Sequence, residues 1–166
     1  AFGLWDEGRK RLLLCRDRAG QKPLFLYRDG ERLIFASEMK AILAMPGVDD
    51  TLDPRAFPLY LTYGYVPTPG TFYRKLEKLP PATCMTVERD GVIRTRGYWA
   101  VDFAPVEVGE GRAGQRIREL VEAAVERRLV ADVPLGAFLS GGVDSTVVVA
   151  LMSRFMDEPV RTFSIG

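Results

Sequence analysis

As far as Trp99, apolar residues fall into short runs separated by turn residues; beyond it they recur at helical spacing. Residues 2–6 alternate as an interior strand does, and Glu7-Gly8-Arg9-Lys10 supplies a turn. Residues 12–15 are apolar without a break, which predicts a strand covered on both faces. The polar stretch 16–23 is a loop, residues 24–27 predict a third strand, and Asp29-Gly30 is a hairpin signal returning the chain into 33–36. Four antiparallel strands therefore come first.

Two short helices follow. Ser37 reads as the N-cap of one that Pro46-Gly47 ends. Asp53 caps the second, with Pro54 at its first position and Gly64 as its stop. Residues 66–70 form a proline-stiffened loop, and 83–88 with 92–98 make a hairpin about Asp90-Gly91. Residues 102–112 carry proline, acids and glycines without periodicity and read as a linker. Ile117, Leu120, Val121, Ala124, Val125 and Leu129 then mark an amphipathic helix. Residues 135–139 predict a strand buried on both faces, 147–156 a helix apolar on all sides, and 160–165 a second strand. Val147-Val148-Val149 has poor helix propensity and pulls the other way. The boundary falls near residue 100, with an antiparallel layer before it and a parallel α/β domain after it.

The chemistry concentrates between that strand and that helix. Gly141 and Gly142 allow a tight turn and let an anion approach main-chain N–H groups, while the helix start adds free donors and a positive dipole end. The lysine of a G-x-x-x-x-G-K-[ST] loop is absent. Ser140, Ser145 and Thr146 can instead donate to phosphate oxygens, and Asp144 makes sense beside them as a Mg²⁺ ligand.

Charge and composition narrow the rest. Lys plus Arg 23 against Asp plus Glu 22 gives +1, so charge gives no bias toward a nucleic-acid or acidic partner, and no nucleic acid is expected. The absence of histidine removes Ser-His and Cys-His nucleophile pairs from this chain. Cys15 and Cys84, far apart in apolar or strand-like runs, read as separate buried thiols in a reducing cytoplasm. No apolar run predicts a membrane span. The chain opens on Ala1 in strand-like sequence and stops at Gly166 after another strand, so it reads as a piece of a longer protein.

Ser140-Gly141-Gly142-Val143-Asp144-Ser145 resembles the S-G-G-x-D-S loop of the ATP pyrophosphatases. Before Trp99, Phe2-Gly3-Leu4-Trp5-Asp6, Arg16-Asp17-Arg18 with Gly20 and Lys22-Pro23-Leu24, the run from Phe35 to Ala41, and Lys78-Leu79-Pro80-Pro81 are similar to the glutaminase domain of glutamine-hydrolysing asparagine synthetases. That family places the two domains in this same order. The resemblance implies α/β plus α+β architecture: residues 1–100 as the later part of an N-terminal-nucleophile-type glutaminase, and 101–166 as the start of a parallel PP-loop nucleotide-binding domain.

It further implies ATP and Mg²⁺ as cofactors and glutamine and aspartate as substrates, in a cytoplasmic enzyme with a homodimer as one option. Aspartate would be amidated through an acyl-adenylate, releasing AMP and pyrophosphate. Carried over by position, Ser140, Gly141, Gly142, Val143, Asp144 and Ser145 would hold the pyrophosphate, with Asp144 on the magnesium, and Leu139 and Ile165 would lie near the adenosine. The family's N-terminal cysteine nucleophile has no counterpart here, and Cys15 does not match it. Arg16 with Asp17 reads as an ion pair fixing a loop, and Ser37 and Glu38 as cap and support. Two other readings stay open: a relative that closes a lactam or amidates another carboxylate, with the first domain as scaffold, and a non-catalytic nucleotide-sensing module.

Overall fold

The computed structural model describes residues 1–30 and 32–165. The chain divides into two compact units, Ala1–Phe103 and Ala104–Gly166.

In the first unit, β1 (Phe2–Asp6) and β2 (Arg11–Cys15) form the opening hairpin, with Asp6 opposite Arg11 and residues 7–10 in the turn. The next hairpin, β3 (Phe25–Asp29) and β4 (Arg32–Ala36), pairs Asp29 with Arg32. Asp29 is therefore the last paired residue of β3 rather than part of the turn, and Gly30 after it takes a left-handed φ of 56°. Helices α1 (Met39–Leu43) and α2 (Ala56–Tyr63) follow, then β5 (Leu76–Lys78), β6 (Thr83–Val87) and β7 (Ile93–Gly97). The four opening strands do not share one sheet. They divide between a sheet ordered β1-β2-β6-β7 and a sheet ordered β4-β3-β5.

Side-chain alternation explains this layering. Leu26 on β3 meets Leu14 of β2 and Met85 of β6, with Leu24 and Leu79 completing the cluster between the sheets. Tyr27, one residue on, faces the other way and packs with Ile42 of α1 and Leu76 of β5. β3 is thus covered on both faces, and the layers run sheet, sheet, helix. Gly3 of β1 lies close against the second sheet, since a Cβ there would lie 3.0 Å from the Phe35 ring.

Both helix starts differ from expectation in detail. Ser37 does not cap α1; Glu38 stands at the N-cap with its side chain paired to Lys40 instead of capping the helix, and its carbonyl takes the Ala41 N–H at 3.2 Å. Asp53 does accept the Arg55 N–H at 3.1 Å, but a tighter turn through Ala56 N–H to Asp53 O intervenes before α2 begins. Gly64 ends α2 at φ 75°, as expected.

In the second unit, α3 (Glu110–Glu126) begins inside the stretch expected to be linker. Gly109 takes an extended N-cap conformation and Glu110 places its carboxylate in the first turn, which favours a helix start despite the glycines. β8 (Gly136–Phe138), α4 (Val143–Phe155) and β9 (Arg161–Phe163) follow, and β8 pairs with β9 in parallel. Val147-Val148-Val149 is helical: Leu151 and Met152 of α4 pack on Val125 of α3, and this tertiary contact outweighs local propensity. The architecture is therefore mixed α/β, antiparallel in the first unit, with a two-stranded parallel pair in the second. β8 is not buried on both faces as expected: Ala137 packs inward, but Phe138 is 77% exposed.

Candidate functional site

The segment from β8 to the start of α4 brings together the residues picked out by motif. Leu139 extends the parallel ladder one step, its N–H donating to Phe163 O at 2.8 Å. The Ser164 hydroxyl donates to Leu139 O at 2.6 Å and ties the strand ends beyond the last paired residues. Leu139 and Ile165, 26 residues apart in sequence, therefore leave the sheet at the same end.

The turn after Leu139 is built on its glycines in two different ways. Gly141 has φ +79°, which an L side chain adopts only with strain. Gly142 has φ −77° and ψ 160°, open to any residue, and a Cβ there would meet only Ser140 Oγ at an ordinary 3.6 Å. The chain's own packing does not demand glycine at 142.

Gly142 is also the N-cap of α4 and supplies no side-chain cap. The N–H groups at the start of a helix have no partner within it, and Gly142, Val143 and Asp144 are exposed here, Val143 to 80%. Asp144 is exposed in this turn and forms no salt bridge among the described residues. The hydroxyls divide their work. Thr146, expected to reach phosphate, donates to Gly142 O at 2.8 Å and so holds the loop. Ser145 Oγ lies 3.1 Å from both Gly142 O and Ser140 Oγ, leaving this serine pair at the mouth of the turn. Ser164 had no motif signal; only the strand pairing reveals it.

The residues fit an anion better than a bare cation. Among the described residues no cluster of three metal-binding side chains occurs. A magnesium ion would find one protein carboxylate, Asp144, and would need phosphate oxygens and water for the rest of its shell.

In the first unit the charged loop after β2 has a structural explanation. Arg16 and Asp17 do not pair with each other. The Arg16 guanidinium, 8% exposed, donates to the carbonyls of Leu79 (2.6 Å), Gly20 (2.8 Å) and Lys22 (3.0 Å). Asp17 accepts the N–H groups of Lys22 and Gln21, both at 2.9 Å, and these bonds hold its carboxyl below the usual range. Both side chains are spent on backbone, which buried or turn-bound peptide groups require. Lys78 donates to Val66 O, and burial, with Arg16 nearby, pushes its ammonium pKa down.

The two cysteines correct the sequence reading. Cys15 and Cys84 are directly opposite in the β2–β6 pairing, with Cα atoms 4.2 Å apart, and form a disulfide. Side chains 69 residues apart become neighbours through strand register, which spacing alone does not reveal. No free thiol is left among the described residues to serve as nucleophile. No helix is long and apolar enough to cross a membrane among them either.

Comparison with known proteins divides the chain along the same line. Residues 1–99 match the family described as glutamine amidotransferase domain, and residues 116–166 match the one described as asparagine synthase. Asparagine synthetase [glutamine-hydrolyzing] 3 of Bacillus subtilis is 36% identical over 99% of this chain and 28% of its own length. Asparagine synthetase [glutamine-hydrolyzing] 1 of the same organism is 32% identical over the whole chain and 26% of its own length. Amidase chry2 of Gibberella zeae is 32% identical over 97% of this chain and 24% of its length. The chain thus spans about a quarter of these relatives.

Proposed function

We propose, from the premise that this chain belongs to the glutamine amidotransferase domain family, that the whole protein is a glutamine-hydrolysing, ATP-dependent synthetase making asparagine from aspartate. Residues 1–100 belong to its glutaminase domain and 101–166 open the synthetase domain. The observation that carries this reading is the turn at 140–146: an uncapped, solvent-facing helix start, a glycine that packing does not require, and paired serine hydroxyls.

In this reading glutamine is hydrolysed in the first domain by a nucleophile outside the present residues, and ammonia passes to the second. The aspartate β-carboxylate attacks the α-phosphate of ATP, forming an acyl-adenylate as pyrophosphate leaves. Ammonia then displaces AMP. Ser140, Gly141, Gly142, Val143 and Ser145 hold the departing pyrophosphate through main-chain N–H groups and hydroxyls, which stabilise charge as it develops. Leu139 and Ile165 flank the adenosine at the carboxyl ends of the strands. Magnesium, when bound, supplies Lewis-acid neutralisation of phosphate charge, with Asp144 as its protein ligand. A cytoplasmic setting goes with the pathway, although the Cys15–Cys84 pair would there be reduced.

Replacing Asp144 by Asn in the full-length enzyme is expected to abolish pyrophosphate release while leaving glutamine hydrolysis intact. Full synthetase turnover by that variant would refute the assignment. A second reading, amidation of a different carboxylate, draws on the amidase among the relatives. Assaying pyrophosphate release against a panel of carboxylic acids separates it from the first: release with aspartate alone excludes it.

A further inference from the structure

Backbone pairing between β8 and β9 stops one step earlier than the strands' course would allow. In a parallel ladder the Leu139 N–H bond to Phe163 O would be followed by Ile165 N–H donating to Leu139 O. Among the described residues that second bond is absent, and the Ser164 hydroxyl donates to the Leu139 carbonyl at 2.6 Å in its place. The Ile165 N–H consequently has no partner among the described residues, and Ile165 is 95% exposed. An unpaired donor beside water is tolerated; its position at the carboxyl end of the sheet, next to the turn at 140–146, gives it a use.

The geometry points to Ser164 as a positioning residue: by standing in for the ladder donor at Leu139 O, its hydroxyl fixes the two strand ends and keeps the Ile165 amide free for an acceptor nitrogen on the nucleotide base. This rests on the nucleotide reading of residues 139–146 and deepens it. A side-chain donor serves here because it satisfies the carbonyl without drawing the next residue into the sheet. Removing the hydroxyl leaves Leu139 O in need of a donor, and the nearest along the ladder is the Ile165 amide itself.

The test uses the full-length enzyme and Mg·ATP. In the unsubstituted protein, exchange of the Ile165 amide hydrogen slows on adding Mg·ATP. In Ser164→Ala that exchange is already slow without nucleotide, and KM for ATP rises about 3- to 10-fold, the effect of one hydrogen bond, with kcat little changed. Ser164→Thr, which retains the hydroxyl, restores both readouts. A Ser164→Ala enzyme with unchanged exchange and unchanged KM overturns the inference. If Asp144→Asn stops pyrophosphate release in parallel, only the role of Ser164 has failed; if Asp144→Asn turns over fully, the nucleotide reading fails and Ser164 falls with it.

Discussion

The two units treat their apolar residues in opposite ways. In the first, Leu14, Leu26, Tyr27, Ile42 and Leu76 are all 3% exposed or less, because β3 has a packed cluster on either face and these residues fill the two clusters. In the second, only Val125, Leu151 and Met152 are buried among the described residues, while Phe138, Phe163, Ile117 and Leu120 remain more than half exposed. The sequences are comparably apolar; what differs is whether partners for each face lie within the chain. A parallel strand pair needs helices on both faces and strands at both edges, and one βαβ unit with one added helix provides a single covered face.

The largest expected effect concerns what holds the first unit closed. The Cys15–Cys84 bridge joins neighbouring strands across 69 residues of chain. In the chain-entropy description a loop of that length contributes about 4 kcal/mol, by restricting the unfolded state. Urea unfolding of the first unit with and without reductant should therefore show a large downward shift in midpoint, and Cys84→Ser should reproduce it. A transition indifferent to reductant would return the pair to two separate thiols and leave packing alone responsible for the contrast.

Core truncation sharpens the comparison further. Leu14→Ala removes a fully buried side chain between two sheets and should destabilise the first unit by about 3 kcal/mol. Phe138→Ala in the 166-residue chain should change stability by less than about 0.5 kcal/mol, because the ring is mostly in water. In the full-length protein the same Phe138 substitution should approach the Leu14 value if β8 is an interior strand there. Equal small effects in both settings would show that the open face of β8 is a true surface.

The same contrast decides what could be read from sequence. The hairpin turns at 7–10 and around Gly91 and the stop at Gly64 are set by backbone chemistry within a few residues, and they fall where the pattern put them. The S-G-G-x-D-S turn was legible for the same reason, since positive φ at Gly141 is a local event, but the helix after it begins at Val143, four residues before the apolar run that marked it in sequence. Partition of β1 to β4 between two sheets was not legible, because alternation identifies faces without saying which strand lies opposite. β5, three residues including Glu77 and Lys78, is strand only because β3 pairs with it. Arg16 and Asp17 look like an ion pair in sequence; their true partners are peptide groups, one of them Leu79, 63 residues away. Ser164 has meaning only once β8 and β9 are side by side.

Acid provides the mildest probe of the comparison, because four carboxylates of the first unit are held below their ordinary values: Asp17, Asp29, Asp49 and Asp53. Asp49 goes furthest, to about 2, through its bonds from the Thr51 hydroxyl and N–H and then from Lys75. Lys75 also faces Asp29, and the Tyr27 hydroxyl, donating to Asp29 and accepting the Asp49 N–H, links the group to the core beneath α1. A carboxyl whose pKa is lower folded than unfolded binds protons more readily in the unfolded chain. Its contribution is complete above the unfolded value of 3.8 and is lost as pH falls from there through about 2. The urea midpoint of the first unit should accordingly decline over that interval, by a modest amount because these groups are solvent-screened. Asp49→Asn should lower the midpoint at neutral pH and flatten the decline. Were the second unit to lose stability over the same interval and the first not, the acidic network around Lys75 would have no part in the difference between them.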